Sequence, residues 1–347
     1  MGNKIVIGGV EVKSGEQRSI DLQLPPLYTH TSVAMPVHVI NGKKPGPILF
    51  VSAAIHGDEI NGVEIIRRLI SSESEEIADL AGTLIAIPVV NVYGFISQSR
   101  YLPDRRDLNR SFPGSETGSM AARLAHTFIE EIVSKCTHGI DLHTGAIARE
   151  NLPQIRAALH DGPNEGIDIR KMACAFNAPV VINSSKLIEG TLRHTVSKFG
   201  IPILLYEAGE ALRFNEVAIR AGVKGVINVM RHLGMLSGGK HCDIYNKPLL
   251  ATSSSWVRAL QSGILRTLIP LGEQVNKGDL LGIVSDPFGE SEANIIAPKS
   301  GIIIGKSNLP LVHEGEALFH IAYFDNPDDV AEAVGIFQAA HSSTDTE

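Results

Sequence analysis

The chain has 347 residues, 44% of them hydrophobic and 20% charged, the composition of a globular protein long enough to bury its own core. Its formal net charge of -7 and the lack of any run of basic residues argue against a nucleic-acid partner. Three scattered cysteines, Cys136, Cys174 and Cys242, argue against a disulfide framework or a thiolate zinc site and fit a reducing compartment.

The first residues, MGNKIVIGGVEVKSGEQ, alternate and carry charges, unlike a secretory signal. No window reaches the ~18 apolar residues of a membrane span, so the expectation is a soluble cytoplasmic protein with no membrane partner. Residues 32–40 (SVAMPVHVI) are strand-like, and 41–47 form a loop rich in Gly, Lys and Pro. Residues 48–55 (ILFVSAAI) have the unbroken apolar pattern of a strand buried on both faces, and they run into HGDE at 56–59. Helical spacing follows over 61–69. Further buried strands are predicted at 83–90, 139–142, 179–182 and 201–206, with helices at 120–133, 167–176, 191–199 and 215–233. This alternation predicts an α/β fold with a mostly parallel, covered sheet and functional residues just past the carboxyl ends of its strands. His56, His143 and Glu207 stand at such ends.

The composition shifts near residue 240, where SGGK (237–240) and ATSSS (251–255) bracket a linker. Short apolar segments separated by Gly-containing turns occupy 256–322, the pattern of a small all-β barrel or sandwich. A terminal helix is expected over 326–340 and a polar tail over 341–347. The domain division read from this is 1–245, 250–325 and a tail piece, 326–347.

HGDE places a His and a carboxylate three residues apart, so both can face one point, and DLH at 141–143 supplies a second imidazole at another strand end. Two His plus one Glu with a fourth position open is a catalytic zinc arrangement. Taken singly, each His reads more readily as a hydrogen-bonded strand-end residue; together, His56, Glu59 and His143 fit a metal site and that plainer reading equally. Asp141 lies on the same strand face as His143, placed to accept the second N–H of a ligating imidazole or to act as a turn carboxylate. The polar loop 91–114 carries Arg100, Arg105, Arg106, Asn109 and Arg110, groups suited to carboxylates and developing oxyanions, although Asp104 and Asp107 also fit a solvated loop.

HGDE at 56–59, DLNRSFPG at 107–114, DLHTG at 141–145 and YEAGE at 206–210 occur in this order. Together they resemble the succinylglutamate desuccinylase/aspartoacylase family, a branch of the zinc carboxypeptidase-like hydrolases, over roughly residues 45–235. The resemblance implies a carboxypeptidase-like mixed sheet with helices on both faces and one zinc per chain on His56, Glu59 and His143. It implies that Arg100 polarises the scissile carbonyl, that Asn109 and Arg110 grip a substrate carboxylate, and that Glu207 is the general base. The stretch between Arg100 and Asn109 is longer than in aspartoacylase-like sequences, which leaves Arg105 and Arg106 as alternatives to Arg100. Arg149 and Arg156, downstream of His143, are further candidate substrate contacts. Zinc acidifies water and polarises carbonyls, a carboxylate moves the proton, and an Arg steadies the oxyanion, so these roles are chemically coherent.

Residues 256–322 resemble the barrel-sandwich hybrid of biotinyl and lipoyl carrier domains, but the hairpin at 285–290 reads SDPFGE and has no Lys to modify. No prosthetic group is expected there. The leading functional reading is a zinc amidohydrolase that removes the acyl group of a small N-acyl amino acid. A metallocarboxypeptidase that trims peptides would use the same motifs. A non-catalytic zinc or ligand-binding protein would have no need of Glu207. The acyl group, the amino acid, the role of the β domain and the oligomeric state, a homo-oligomer included, stay open at this level.

Overall fold

The structure, a computed structural model, describes residues 4–71, 77, 79–159, 169–184, 186–238 and 249–342. Most of the expected linker, Cys242, the first residues of the helix expected over 167–176, and the tail beyond 342 lie outside them. The first part of the chain runs β1 (Ile5–Ile7), β2 (Val10–Val12), β3 (Gln17–Leu24), β4 (Val33–Asn41), β5 (Lys44–Ala53), α1 (Asn61–Ser71), β6 (Ala81–Ile87), α2 (Val92–Ile96), α3 (Met120–Glu131), β7 (His138–Gly145), β8 (Arg149–Ala157), α4 (Ile169–Phe176), β9 (Val180–Asn183), α5 (Leu192–Lys198), β10 (Ile203–Glu210) and α6 (Glu216–His232).

β1 and β2 form a two-stranded sheet of their own, and the other strands form one mixed sheet in the order β3-β4-β6-β5-β7-β10-β8, with β9 pairing off β8. Its centre, β6-β5-β7-β10, is parallel, whereas β3, β4 and β8 run antiparallel to their neighbours. The mostly parallel expectation therefore holds for the centre and for β9, which pairs parallel with β8, but not for the remaining strands. Only residues 146–148 separate β7 from β8, too few for the crossover a parallel return requires, so β8 reverses direction and β10 inserts between the two. The central strands read as unbroken apolar runs because both faces are buried. In β5, Leu49, Val51 and Ala53 pack with α1, α4 and α6, while Phe50 packs on the opposite face with α3, α5 and the N-terminal strands.

Beyond the undescribed stretch come β11 (Leu249–Ala251), β12 (Ser253–Arg258), β13 (Gly263–Thr267), β14 (Gln274–Val275), β15 (Leu280–Ser285), β16 (Glu292–Ile296), β17 (Gly301–Ser307), β18 (Leu311–Val312), β19 (Ala317–Tyr323) and α7 (Pro327–Ser342). A four-stranded antiparallel sheet, β16-β15-β13-β18, stands apart from the large sheet. The strands β17, β19 and β12 instead extend the large sheet, through antiparallel pairing of β17 with β8. Leu152 of β8, Val180 of β9, Ile302 and Ile304 of β17, and Val330 and Val334 of α7 share one core. Thus the C-terminal strands reach the row of the sheet that carries Glu207. The hairpin at 285–290 displays Phe288, 86% exposed, at its tip. No helix among the described residues is long and apolar enough to cross a membrane.

Candidate active site

After β5 the chain turns sharply through Ala54, whose φ of 49° lies in the left-handed region that an Ala enters only at a cost. Backbone hydrogen bonds from Val90 to Ala53 (3.0 Å) and from Asn91 to Ala54 (2.9 Å) hold this turn and deliver His56 to the end of the sheet. Gly57 is required next, because a Cβ there would lie 2.0 Å from the backbone of Gly94. The amide of Glu59 then donates to the carbonyl of His56 at 3.1 Å, closing the turn that brings the two side chains together. His143 lies near the end of β7, directly in register with Glu207 on the parallel neighbour β10.

The three groups converge. Nδ1 of His56 is 2.7 Å from Oε1 of Glu59, and Nδ1 of His143 is 2.7 Å from Oε2. One candidate ligand atom from each of the three lies within 4.8 Å of the others, and all three residues are buried. The outward nitrogens are held by carboxylates. Nε2 of His143 is 2.8 Å from Asp141, whose other oxygen accepts from the Ser52 hydroxyl at 2.8 Å. Nε2 of His56 is 3.2 Å from Asp107. Asp107 also accepts from the amide of Asn109 at 2.8 Å and from Nε and Nη2 of Arg100 at 3.2 and 2.9 Å. This fork aims Nη1 of Arg100 at the centre, 3.3 Å from Nδ1 of His56 and 3.5 Å from Oε1 of Glu59.

The electrostatics are those of a hole for a cation. Burial would push the His143 imidazole down, but Asp141 and Glu59 outweigh it and raise its pKa well above the ordinary value. His56 is raised in the same way, with burial opposed by Glu59 and Asp107. Burial opposes ionisation of Glu59 too, yet the two imidazoles hold its carboxyl far below the usual range. Asp107 is depressed likewise, burial being overcome by His56 and Arg100. Protons drawn onto both imidazoles stand where a divalent ion would supply the positive charge, and the imidazole–carboxylate donor set suits zinc.

Glu207 lies beside this centre with both oxygens engaged: Oε1 accepts from Nδ2 of Asn151 at 2.7 Å, and Oε2 is 2.7 Å from Nε of Arg156. Arg193 of α5 has its Nη1 buried without a hydrogen-bond partner among the described residues. Burial and then Arg156 depress its pKa, against the pull of Glu207 and Asp141.

The structure thus gathers His56, Glu59, His143, Asp141 and Arg100 into one cluster, with Glu207 and Arg156 beside it. Arg105, Arg106 and Arg110 are exposed, and Arg110 donates through Nη1 to the carbonyl of Asn109 at 2.6 Å. The Asn109 side chain accepts from the amide of Leu192 at 2.9 Å, fastening the loop to the start of α5. Arg149 lies over the Trp256 ring, 4.5 Å from its centroid. Sequence reasoning missed Ser52, Asp107, Asn151 and Arg193. Ser52 was visible as the one polar residue in an apolar run, and Asp107 as the opening residue of DLNRSFPG. No spacing pointed to Arg193.

A family model described as the succinylglutamate desuccinylase/aspartoacylase catalytic domain matches residues 45–233. The N-alpha-acetyl-L-2,4-diaminobutyric acid deacetylase of Halomonas elongata is 25% identical over 312 residues, 88% of each chain. A succinylglutamate desuccinylase from Silicibacter sp. TM1040 superposes with a TM-score of 0.79 at 25% identity, covering 88% of this chain and 94% of that one. The product-bound ectoine utilization protein EutE (DoeB) of Ruegeria pomeroyi gives a TM-score of 0.78 at 27% identity, with 88% and 95% covered.

Proposed function

The chain belongs to the succinylglutamate desuccinylase/aspartoacylase family, and from that premise we propose that it is a cytoplasmic, zinc-dependent amidohydrolase releasing the acyl group of a small N-acyl amino acid. The observation that carries this reading is the buried His56–Glu59–His143 group with Glu207 in register beside His143. His56, Glu59 and His143 would hold one zinc, with Asp141 and Asp107 setting the orientation of the two imidazoles. Zinc bound there would act as a Lewis acid on the scissile carbonyl and acidify a water molecule.

The remaining work falls to the chain's own groups. Glu207, held by Asn151 and Arg156, takes a proton from the attacking water and returns it to the leaving nitrogen. Arg100, fixed by Asp107, directs Nη1 at charge developing on the carbonyl oxygen. Arg193, with a buried and unpartnered Nη1, is the cation we assign to a substrate carboxylate; the exposed Arg110 serves that role only if its side chain turns inward. The similarity to an enzyme named as an N-alpha-acetyl-L-2,4-diaminobutyric acid deacetylase favours an acetylated diamino acid as the first substrate to try.

A hydrolysis screen of the zinc-loaded protein tests the reading. The panel holds N-acetyl, N-succinyl and N-formyl amino acids, Nα-acetyl-2,4-diaminobutyrate among them, alongside short peptides. Release of the acyl group from single amino acids but not peptides is expected. Trimming of peptides in its place would make the chain a carboxypeptidase, and inertness toward the whole panel would favour a binding protein.

A further inference from the structure

Buried polar atoms in a folded protein almost always find a partner, so a group of them that do not calls for one from outside the chain. Among the described residues such atoms gather beside Glu207: Oδ1 of Asn151, both amide atoms of Gln154, Nε of Arg149, Nη1 of Arg193 and Nδ1 of His320. Gln154 is wholly buried and His320 only 4% exposed.

The sheet register puts these groups on one face. Glu207 stands opposite His143 on one side and Gln154 on the other. Gly209 stands opposite Asn151, Asn151 opposite Gly305, and Gly305 opposite His320. Residues directly opposite on neighbouring strands turn their side chains to the same face. Gly305 lets Asn151 and His320 close in over the strand between them, since a Cβ there would lie 2.8 Å from Oδ1 of Asn151 and 3.2 Å from Cβ of His320. His320 is fixed in its place. Its ring stacks on Trp256 at 4.5 Å and 12°, and its Nε2 is 3.0 Å from the Ser254 hydroxyl, so Nδ1 has one direction to point. Burial first, then Arg156 and Arg149, lower its pKa to about 3, which leaves the ring neutral and able to donate or accept.

We propose that Gln154 and His320 contact the substrate directly and line the subsite for the amino-acid half of the substrate, their unpartnered polar atoms taking up its donors and acceptors. The order of the row selects that half. His143 marks the metal end, Glu207 would deliver the proton to the leaving nitrogen, and Gln154 stands opposite Glu207 on the side away from His143, with His320 further along the row. An amino acid offers both donors and acceptors, matching an amide with both ends unpaired and a neutral imidazole. The strands after residue 250 therefore belong to substrate recognition, since His320, Trp256 and Gly305 all come from them. This inference rests on the deacylase reading above.

The test uses shape-conserving variants of the full-length, zinc-loaded protein, Gln154→Met and His320→Phe, the latter keeping the stack on Trp256. Replacing an unsatisfied buried polar group with an apolar one of similar shape is neutral or stabilising unless a ligand uses it. The melting temperature and metal content should hold or rise. KM for the best of Nα-acetyl-2,4-diaminobutyrate, N-acetylaspartate and N-succinylglutamate should rise roughly tenfold or more, about one lost hydrogen bond to a bound polar group. Calorimetric binding of the matching free amino acid should weaken by a similar factor, a readout independent of turnover. Unchanged KM and binding would overturn the inference while wild-type turnover keeps the deacylase reading. A fall in melting temperature in both variants would make the two side chains structural and also overturn it. If the wild-type protein neither hydrolyses the three probes nor binds their amino acids, the deacylase reading fails first.

Discussion

Two adjoining regions of the same sheet treat most of their buried polar atoms differently, although Oδ1 of Asp58, next to Glu59, also lacks a partner among the described residues. Around the proposed metal centre, both ring nitrogens of His56 and His143 and both carboxyl oxygens of Glu59, Asp107 and Asp141 have protein partners. Past Glu207, along β8 and β19, the amide of Gln154 and Nδ1 of His320 have none among the described residues. The difference teaches that folding alone orients the proposed metal ligands against their carboxylate partners, whereas the second region keeps polar atoms that the proposed substrate would partner. Glu207 stands at the border, with one oxygen on Asn151 and the other on Arg156.

The largest effect is expected at that border. Glu207→Gln keeps the shape but cannot take a proton, so kcat should fall by roughly 10²–10⁴-fold while metal content and melting temperature stay put. Retention of most activity would move the base elsewhere. Glu210 is a poor substitute, because its oxygens already accept from the amide of Ala148 and from Asn308.

A smaller effect sharpens the claim that the first region is pre-oriented. Asp141→Asn leaves the ligands in place but weakens the hold on Nε2 of His143, and metal affinity in a chelator competition should drop by about 10–100-fold. Unchanged affinity would mean that the Asp141 contact orients nothing.

The smallest effect is on acid stability in the second region. His320 has a folded pKa of about 3 against 6.5 when unfolded, so the unfolded chain binds the extra proton first. The stability gained by burying it neutral is complete above about pH 6.5 and is lost as pH falls from there toward 3. The groups facing it are Arg149 and Arg156 of β8, with Trp256 and Ser254 of β12. His320→Phe should therefore lose less melting temperature than wild type over that range, and superimposable curves would contradict a buried neutral imidazole.

The contrast between the regions also explains what the sequence made legible. The metal cluster was readable because local rules encode it: HGDE and DLH each put their groups at the end of an apolar strand, and β5, β7 and β10 are apolar enough to declare themselves. Strand β8 was not. RENLPQIRA mixes charged and apolar residues because one stretch of it lines the site while Leu152 and Ile155 pack into the core, so no simple period survives. Gln154, Asn151 and His320 acquire their meaning only through cross-strand register, Gln154 with Glu207 of β10, Asn151 with Gly305 of β17 and Gly305 with His320 of β19, which a linear reading does not hold. The extension of the catalytic sheet by the C-terminal strands escaped for the same reason.

The metal centre is tested most directly by the metal content of the purified protein set against His56→Ala and His143→Ala. One zinc per wild-type chain is expected, with both variants losing the metal and the hydrolytic activity while their folds persist. Equal metal content in all three proteins would contradict the assignment of His56, Glu59 and His143 as the ligands.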